Sequence, residues 1–231
     1  MSIKVADSLM PLQSPSKGPS SESRVLPVLA LAAFLALLSW LPVRYRLLPA
    51  GIPVAIGIAL AAAMIAAGAA PASVRLARFE RNAVAIVVPL TVCIELISLA
   101  VLLRDIVRGH QGVPGVTLLT TAVAIWSANV IAFALAYWQL DRAGPMGRAG
   151  DWQGRADFTF PKGDPVDGVP ADWRPTFVDY LFLSFNTSSA FSPTDASPLT
   201  QRAKLLMLLQ STISLVTLAT VAARAINVLG S

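Results

Sequence analysis

The chain has 231 residues, 55% of them hydrophobic and only 13% charged, with a net charge of +5. Soluble domains carry roughly 25% charged residues, so this composition, with its long uncharged runs and no period-two alternation, points to a membrane protein made of helices and not to a soluble domain or a barrel. One cysteine, Cys93, and one histidine, His110, exclude an intramolecular disulfide and a zinc or haem site of the usual kind. The positive charge lies in loops beside apolar runs, where it serves orientation and anionic lipid, not nucleic acid.

Residues 1–23 hold seven serines and three prolines and no apolar stretch. They read as a disordered cytoplasmic tail and not as a cleavable leader. A four-helix transmembrane region over 24–138 follows. Its spans run over about 24–43, 48–70, 82–107 and 113–138, each long enough to cross ~30 Å at 1.5 Å per residue. The linkers are short and basic (Arg44 and Arg46; Arg75, Arg78 and Arg81; Arg104 and Arg108), so consecutive helices are expected to be antiparallel neighbours. Trp40, Tyr137 and Trp138 fall at span ends, where interfacial rings belong. Gly51, Ala55, Gly57 and Ala61 form a small-residue face that favours close packing within the monomer.

Residues 139–175 form one long extramembrane loop, too small for an independent domain. Asp157 to Pro161 reads there as a short edge strand or an interfacial anchor. A final unit, 176–231, opens with Thr176 as a helix cap and Asp179 three residues on. That helix runs to about Ser188, ~18 Å at 1.5 Å per residue, too short to span comfortably. A polar stretch and a last span over about 203–228 complete the chain.

From Thr187 to Pro198 the spacing matches, without a gap, the Thr-x-Thr-Thr-Val-Gly-Tyr-Gly-Asp-x-x-Pro signature. This segment therefore resembles the pore loop of potassium channels. Thr187, Asp195 and Pro198 fall on the Thr, Asp and Pro of that pattern. Ser192 and Thr194 stand where the filter glycines would be, with Pro193 between them. Glycines permit the dihedrals that aim successive carbonyls inward, so a potassium-selective filter is not expected. The pore-like set is Asn186, Thr187, Ser188, Ser189, Ser192, Thr194 and Asp195. More broadly, residues 113–229, with Phe-Val-Asp-Tyr-Leu-Phe-Leu-Ser-Phe and then Ser-Pro-Thr-Asp, are similar to a bacterial family of integral membrane proteins of unknown function. That resemblance implies an architecture and no activity.

Two further groups of intramembrane polar residues stand out. Glu95 lies mid-span between Cys93 and Ser98. It reads either as a proton-coupling or ion-binding site or as a neutral carboxyl bonded to a neighbouring helix, with Asn129 as the expected partner. Gln210, Ser214, Thr217 and Arg224 share one face of the last helix, for interhelical bonding or for lining water. Serines without a base, no Walker loop and no metal cluster argue against an enzyme, and no cofactor is implied.

The expected fold is an all-α polytopic membrane bundle of five spans plus a short re-entrant or tilted helix, or six spans if that helix crosses. Eleven Lys and Arg in the tail, counted with Arg24 at its end, and in the even linkers, against four in the odd ones, put the tail inside the cell. The expected role is a channel-like or ion-pathway subunit in the inner membrane without potassium-type selectivity. Its partners would be lipid, a monovalent cation and further copies of the chain around an axis. The alternatives are a non-conducting scaffold or partner subunit, or a proton-coupled transporter using Glu95.

Overall fold

The structure, a computed structural model, describes residues 22–46, 48–49, 51–70, 73–107, 114–149, 154–160, 173–189 and 196–229, with 106–107, 149 and 223–229 described by backbone alone. The helices are α1 (Val25–Trp40), α2 (Gly51–Ala69), α3 (Val74–Val107), α4 (Gly115–Leu140), α5 (Gly144–Ala149), α6 (Phe177–Ser189) and α7 (Gln201–Leu229). Two-residue strands, β1 (Phe158–Thr159) and β2 (Ser197–Pro198), pair antiparallel. Among the described residues four helices are long and apolar enough to cross a membrane, and α1 is a shorter apolar helix of 16 residues.

α4 is the hub. It packs against α1, α3, α6 and α7, and 67% of its most apolar stretch is buried, against 28% in each of the other three long helices. Its sequence suits that place: alanines at 122, 124, 128, 132, 134 and 136 are buried and let neighbouring backbones approach. Ile58, Ile86, Leu205 and Leu215 face outward, as a lipid-facing surface requires. Of the four small residues on α2, Gly57 is buried against α1 and Ala61 is half-buried, while Gly51 and Ala55 are exposed, so close packing within the monomer is seen at Gly57 and not along the whole set. A Cβ at Gly57 would come within 2.1 Å of the Leu35 side chain on α1.

α3 begins eight residues earlier than the hydropathy suggests, taking Arg75, Arg78, Glu80 and Arg81 into the helix. At its far end Asp105 receives Arg44 Nε at 2.5 Å and Tyr45 Oη at 3.2 Å from the 3-10 turn after α1. Burial and the bond to Asp105 hold the Tyr45 phenol above its ordinary value. Tyr137 and Trp138 are not interfacial anchors: both are fully buried, because each polar tip finds a partner inside the protein. Trp40, in contrast, is exposed.

The chain reverses after α4 through three left-handed residues, Arg142, Ala143 and Gly144. Gly147 is obligatory there, since a Cβ would lie 1.7 Å from the Arg142 carbonyl oxygen. This reversal presents Asp141, wholly buried, to the loop and to α6. Its Oδ1 accepts the backbone N–H of Asp157 (2.8 Å) and of Phe158 (3.3 Å), and its Oδ2 accepts the Tyr180 hydroxyl (2.6 Å). The edge-strand reading of Asp157 to Pro161 holds at Phe158 and Thr159.

Candidate functional site

α6 enters the bundle beside the end of α4. Thr176 donates both its N–H (2.7 Å) and its hydroxyl (2.9 Å) to Asp179, which is half of a capping box. Phe177 stacks edge-on to Trp138 and Tyr180 bonds Asp141, so the helix starts at the Asp141 end. One turn on, the Ser184 hydroxyl donates to the Val130 carbonyl (2.6 Å). At the far end Ser188 lies against Trp126, near the midpoint of α4. By Ser197 the chain is back beside Phe158, at the Asp141 end.

The pairing with α7 makes the same point. Ser184 meets Gln210 and Ser188 meets Ser214, so α6 and α7 run parallel. Parallel neighbours need a connection that travels back the length of the first helix, which a tight turn cannot supply. α6 is a short helix whose C-terminus lies inside the bundle, beside Trp126 and Ser214.

A helix end leaves four carbonyls without helical partners, and each one orphaned in an apolar interior costs several kcal/mol, roughly 2–7. α7 and α4 supply the missing donors. Gln210 Nε2 faces Ser184 Oγ (2.6 Å), Ser188 Oγ (2.8 Å) and the Ser184 carbonyl (3.0 Å). Ser211 donates to the Thr187 carbonyl (3.3 Å), and Ser214 donates to the Ser188 carbonyl (2.5 Å) while accepting Trp126 Nε1 (2.7 Å). Tyr137 donates to Gln210 Oε1 (2.6 Å). The polar stripe of α7 is thus the cap of α6, delivered from another helix. Gln210, Ser214 and Thr217 are buried, and Thr217 bonds its own helix at Ile213.

The sequence-derived residues divide accordingly. Thr187, Ser188 and Ser189 belong to the last turn of α6; Thr187 and Ser189 return their hydroxyls to Leu183 and Phe185. Asn186 is buried, and its Nδ2 has no partner among the described residues. Ser192, Thr194 and Asp195 lie outside the described residues, as does the side chain of Arg224.

Glu95 and Asn129 are 1% and 0% exposed. The expected bond between them is not formed: both carboxylate oxygens and both amide atoms lack hydrogen-bond partners among the described residues. The reason is that each is held by a rigid helix whose register is set by apolar packing around it. Among the described residues no cluster of His, Cys, Asp and Glu can hold a metal ion.

Sequence reasoning missed the polar frame that fixes both ends of the excursion. Asp157, buried, receives Thr200 Oγ1 (2.5 Å) and both Nε (2.6 Å) and Nη2 of Arg202. Thr200 also caps α7 through the Ala203 N–H (3.2 Å). Arg148, buried, crosses over the Tyr180 ring at 5.0 Å and binds the Trp138 and Asp141 carbonyls. The signal available was weak: isolated acids directly after an apolar run, in a loop too polar to show periodicity. No family model, characterised protein or solved structure matches the chain.

Proposed function

We propose that the protein is a multi-pass inner-membrane protein with five spans, α1 to α4 and α7, and a re-entrant half-helix α6, and that it acts as an ion-pathway subunit without potassium-type selectivity. The observation that carries the reading is the end of α6 inside the bundle. The C-terminal end of a helix is the negative end of its dipole. Half-helix ends of this polarity, placed near the bilayer midplane beside hydroxyls and carbonyls, are what stabilise a monovalent cation in lipid. The resemblance to a pore loop without filter glycines supports the same view. Permeation along an axis then needs several copies of the chain. With the basic tail inside the cell, α6 enters from the cytoplasmic face.

The test is ion flux in proteoliposomes of the purified protein. Sodium and potassium should pass at comparable rates, and Ser188→Ala with Ser214→Ala should change both together. No flux of either ion would overturn the reading in favour of a non-conducting scaffold. Strong potassium selectivity would overturn the argument from the missing glycines.

One observation favours a second reading, proton coupling at Glu95. A carboxyl buried in an apolar bundle without a partner is costly, and proton exchange gives such a group a use. Flux driven by a pH gradient should then be lost in Glu95→Gln, while counterflow at symmetrical pH persists. An unchanged pH dependence in that variant removes Glu95 from the mechanism.

A further inference from the structure

At the Asp141 end of the bundle, three N–H donors from two different elements converge on one carboxylate. Trp138 Nε1 donates to Glu22 Oε1 (2.5 Å), and Arg148 Nε (3.1 Å) and Nη2 (2.9 Å) donate to Glu22 Oε2. The Arg148 side chain is 2% exposed and that of Glu22 15%. We propose that Arg148 and the Trp138 indole form a binding site for a phosphoryl group, which the chain's own Glu22 fills as an intramolecular substitute.

Three features separate this from an ordinary structural ion pair. First, Arg148 does not depend on Glu22 for its position. Its Nη1 is bound to the Trp138 carbonyl (2.6 Å) and the Asp141 carbonyl (3.1 Å), and its guanidinium lies over Tyr180 and Trp138. The remaining fork, Nε and Nη2, points at the occupant, in the geometry that suits phosphate or carboxylate oxygens.

Second, the occupant is easily exchanged. Glu22 lies outside regular structure, three residues before the start of α1. Withdrawing it breaks its own contacts and the bond from Arg24 Nη1 to its backbone carbonyl (2.6 Å), and removes no backbone hydrogen bond within a helix. A buried cation left empty is costly, so the exchange is a replacement of one anion by another.

Third, the surroundings have donor capacity to spare. Arg24 faces Glu80 at 3.7 Å, yet its Nε, like Glu80 Oε1, has no hydrogen-bond partner among the described residues. Glu80 offsets one positive charge. An incoming phosphoryl group meets Arg148 and the indole N–H together, and Arg24, held beside it by the bond to the Glu22 carbonyl, adds a second positive charge with an unused donor for the additional oxygen to recruit. Arg75, Arg78 and Arg81 on the first turns of α3 place the site at a basic rim of the bundle, where anionic headgroups gather. The phosphoryl group comes either from such a headgroup or from solution.

The test uses the full chain in nanodiscs, with Cys93→Ala removing the one exposed thiol and Ser23→Cys reporting on the segment beside Glu22. The maleimide labelling rate is compared in phosphatidylcholine alone, with phosphatidic acid added, and with inorganic phosphate added. A several-fold rise with phosphatidic acid only identifies a lipid headgroup. A rise with inorganic phosphate in phosphatidylcholine identifies a soluble phosphoryl ligand. Trp138→Phe keeps the ring and removes the indole donor, so it should weaken the response several-fold. Glu22→Gln should retain more phosphatidic acid than the unaltered chain in native mass spectrometry. Equal labelling in all three conditions overturns the proposal, as does a rise that Trp138→Phe leaves undiminished.

Discussion

Gln210 and Glu95 are both buried polar side chains in an apolar bundle, and their surroundings give them opposite energetics. Gln210 has its carbonyl and amide satisfied by Tyr137, Ser184 and Ser188. Gln210→Leu removes those partners and takes from the Tyr137 and Ser188 hydroxyls the bonds they make to Gln210, a loss of about 1–3 kcal/mol for each group left without a bond. A clear fall in the thermal midpoint in detergent is the expected outcome. Glu95 has no hydrogen-bond partner among the described residues, so replacing it with an apolar residue of similar volume removes a penalty and breaks no described bond. Glu95→Leu is expected to leave the midpoint unchanged or to raise it. A marked fall in that variant would mean that Glu95 is bound in the folded protein.

At the scale of elements, the α6 excursion is fixed by its two ends more than by its own helix. Thirteen residues of helix are marginal alone. Asp141 ties the start through Tyr180, and Asp157 ties the return through Arg202, Thr200 and the β1–β2 pair. Hydrogen bonds to a buried charge contribute about 1.5–3 kcal/mol. Asp157→Asn should therefore loosen the return segment first. Hydrogen exchange should speed up at Phe158, Thr159 and Ser197 while α4 stays protected. Uniform loss of protection in α4 as well would show that the frame and the bundle unfold together.

At the scale of the whole molecule, the path of α6 decides the topology. A half-helix that enters and leaves at the Asp141 end puts residues 176 and 197 on one side of the membrane, with five spans. A crossing helix puts them on opposite sides, with six. Thr176 and Ser197 are both exposed. Thr176→Cys and Ser197→Cys, each in a Cys93→Ala background, should react with an impermeant maleimide from the same side in oriented vesicles. Labelling from opposite sides would replace the five-span arrangement and the ion-pathway reading that rests on it.

The sequence by itself determined what depends on local composition. Long apolar runs set the helices, since only a helix satisfies its backbone in hydrocarbon. The cap at Thr176 set the start of α6, and its shortness marked it as a helix that does not cross comfortably. The polar stripe of α7 was legible as a face, from the spacing of Gln210, Ser214 and Thr217. What that face is for was not. Only the tertiary structure placed the orphan carbonyls of α6 against it, and that match depends on α4, whose register no local pattern encodes. The pairing of Glu95 with Asn129 failed for the same reason: depth can be read along a helix, but the rotation of one helix against another is set by the packing of every side chain between them. The frame of Asp141, Arg148, Asp157 and Arg202 lay in a loop without periodicity, where only three-dimensional proximity reveals which charges meet.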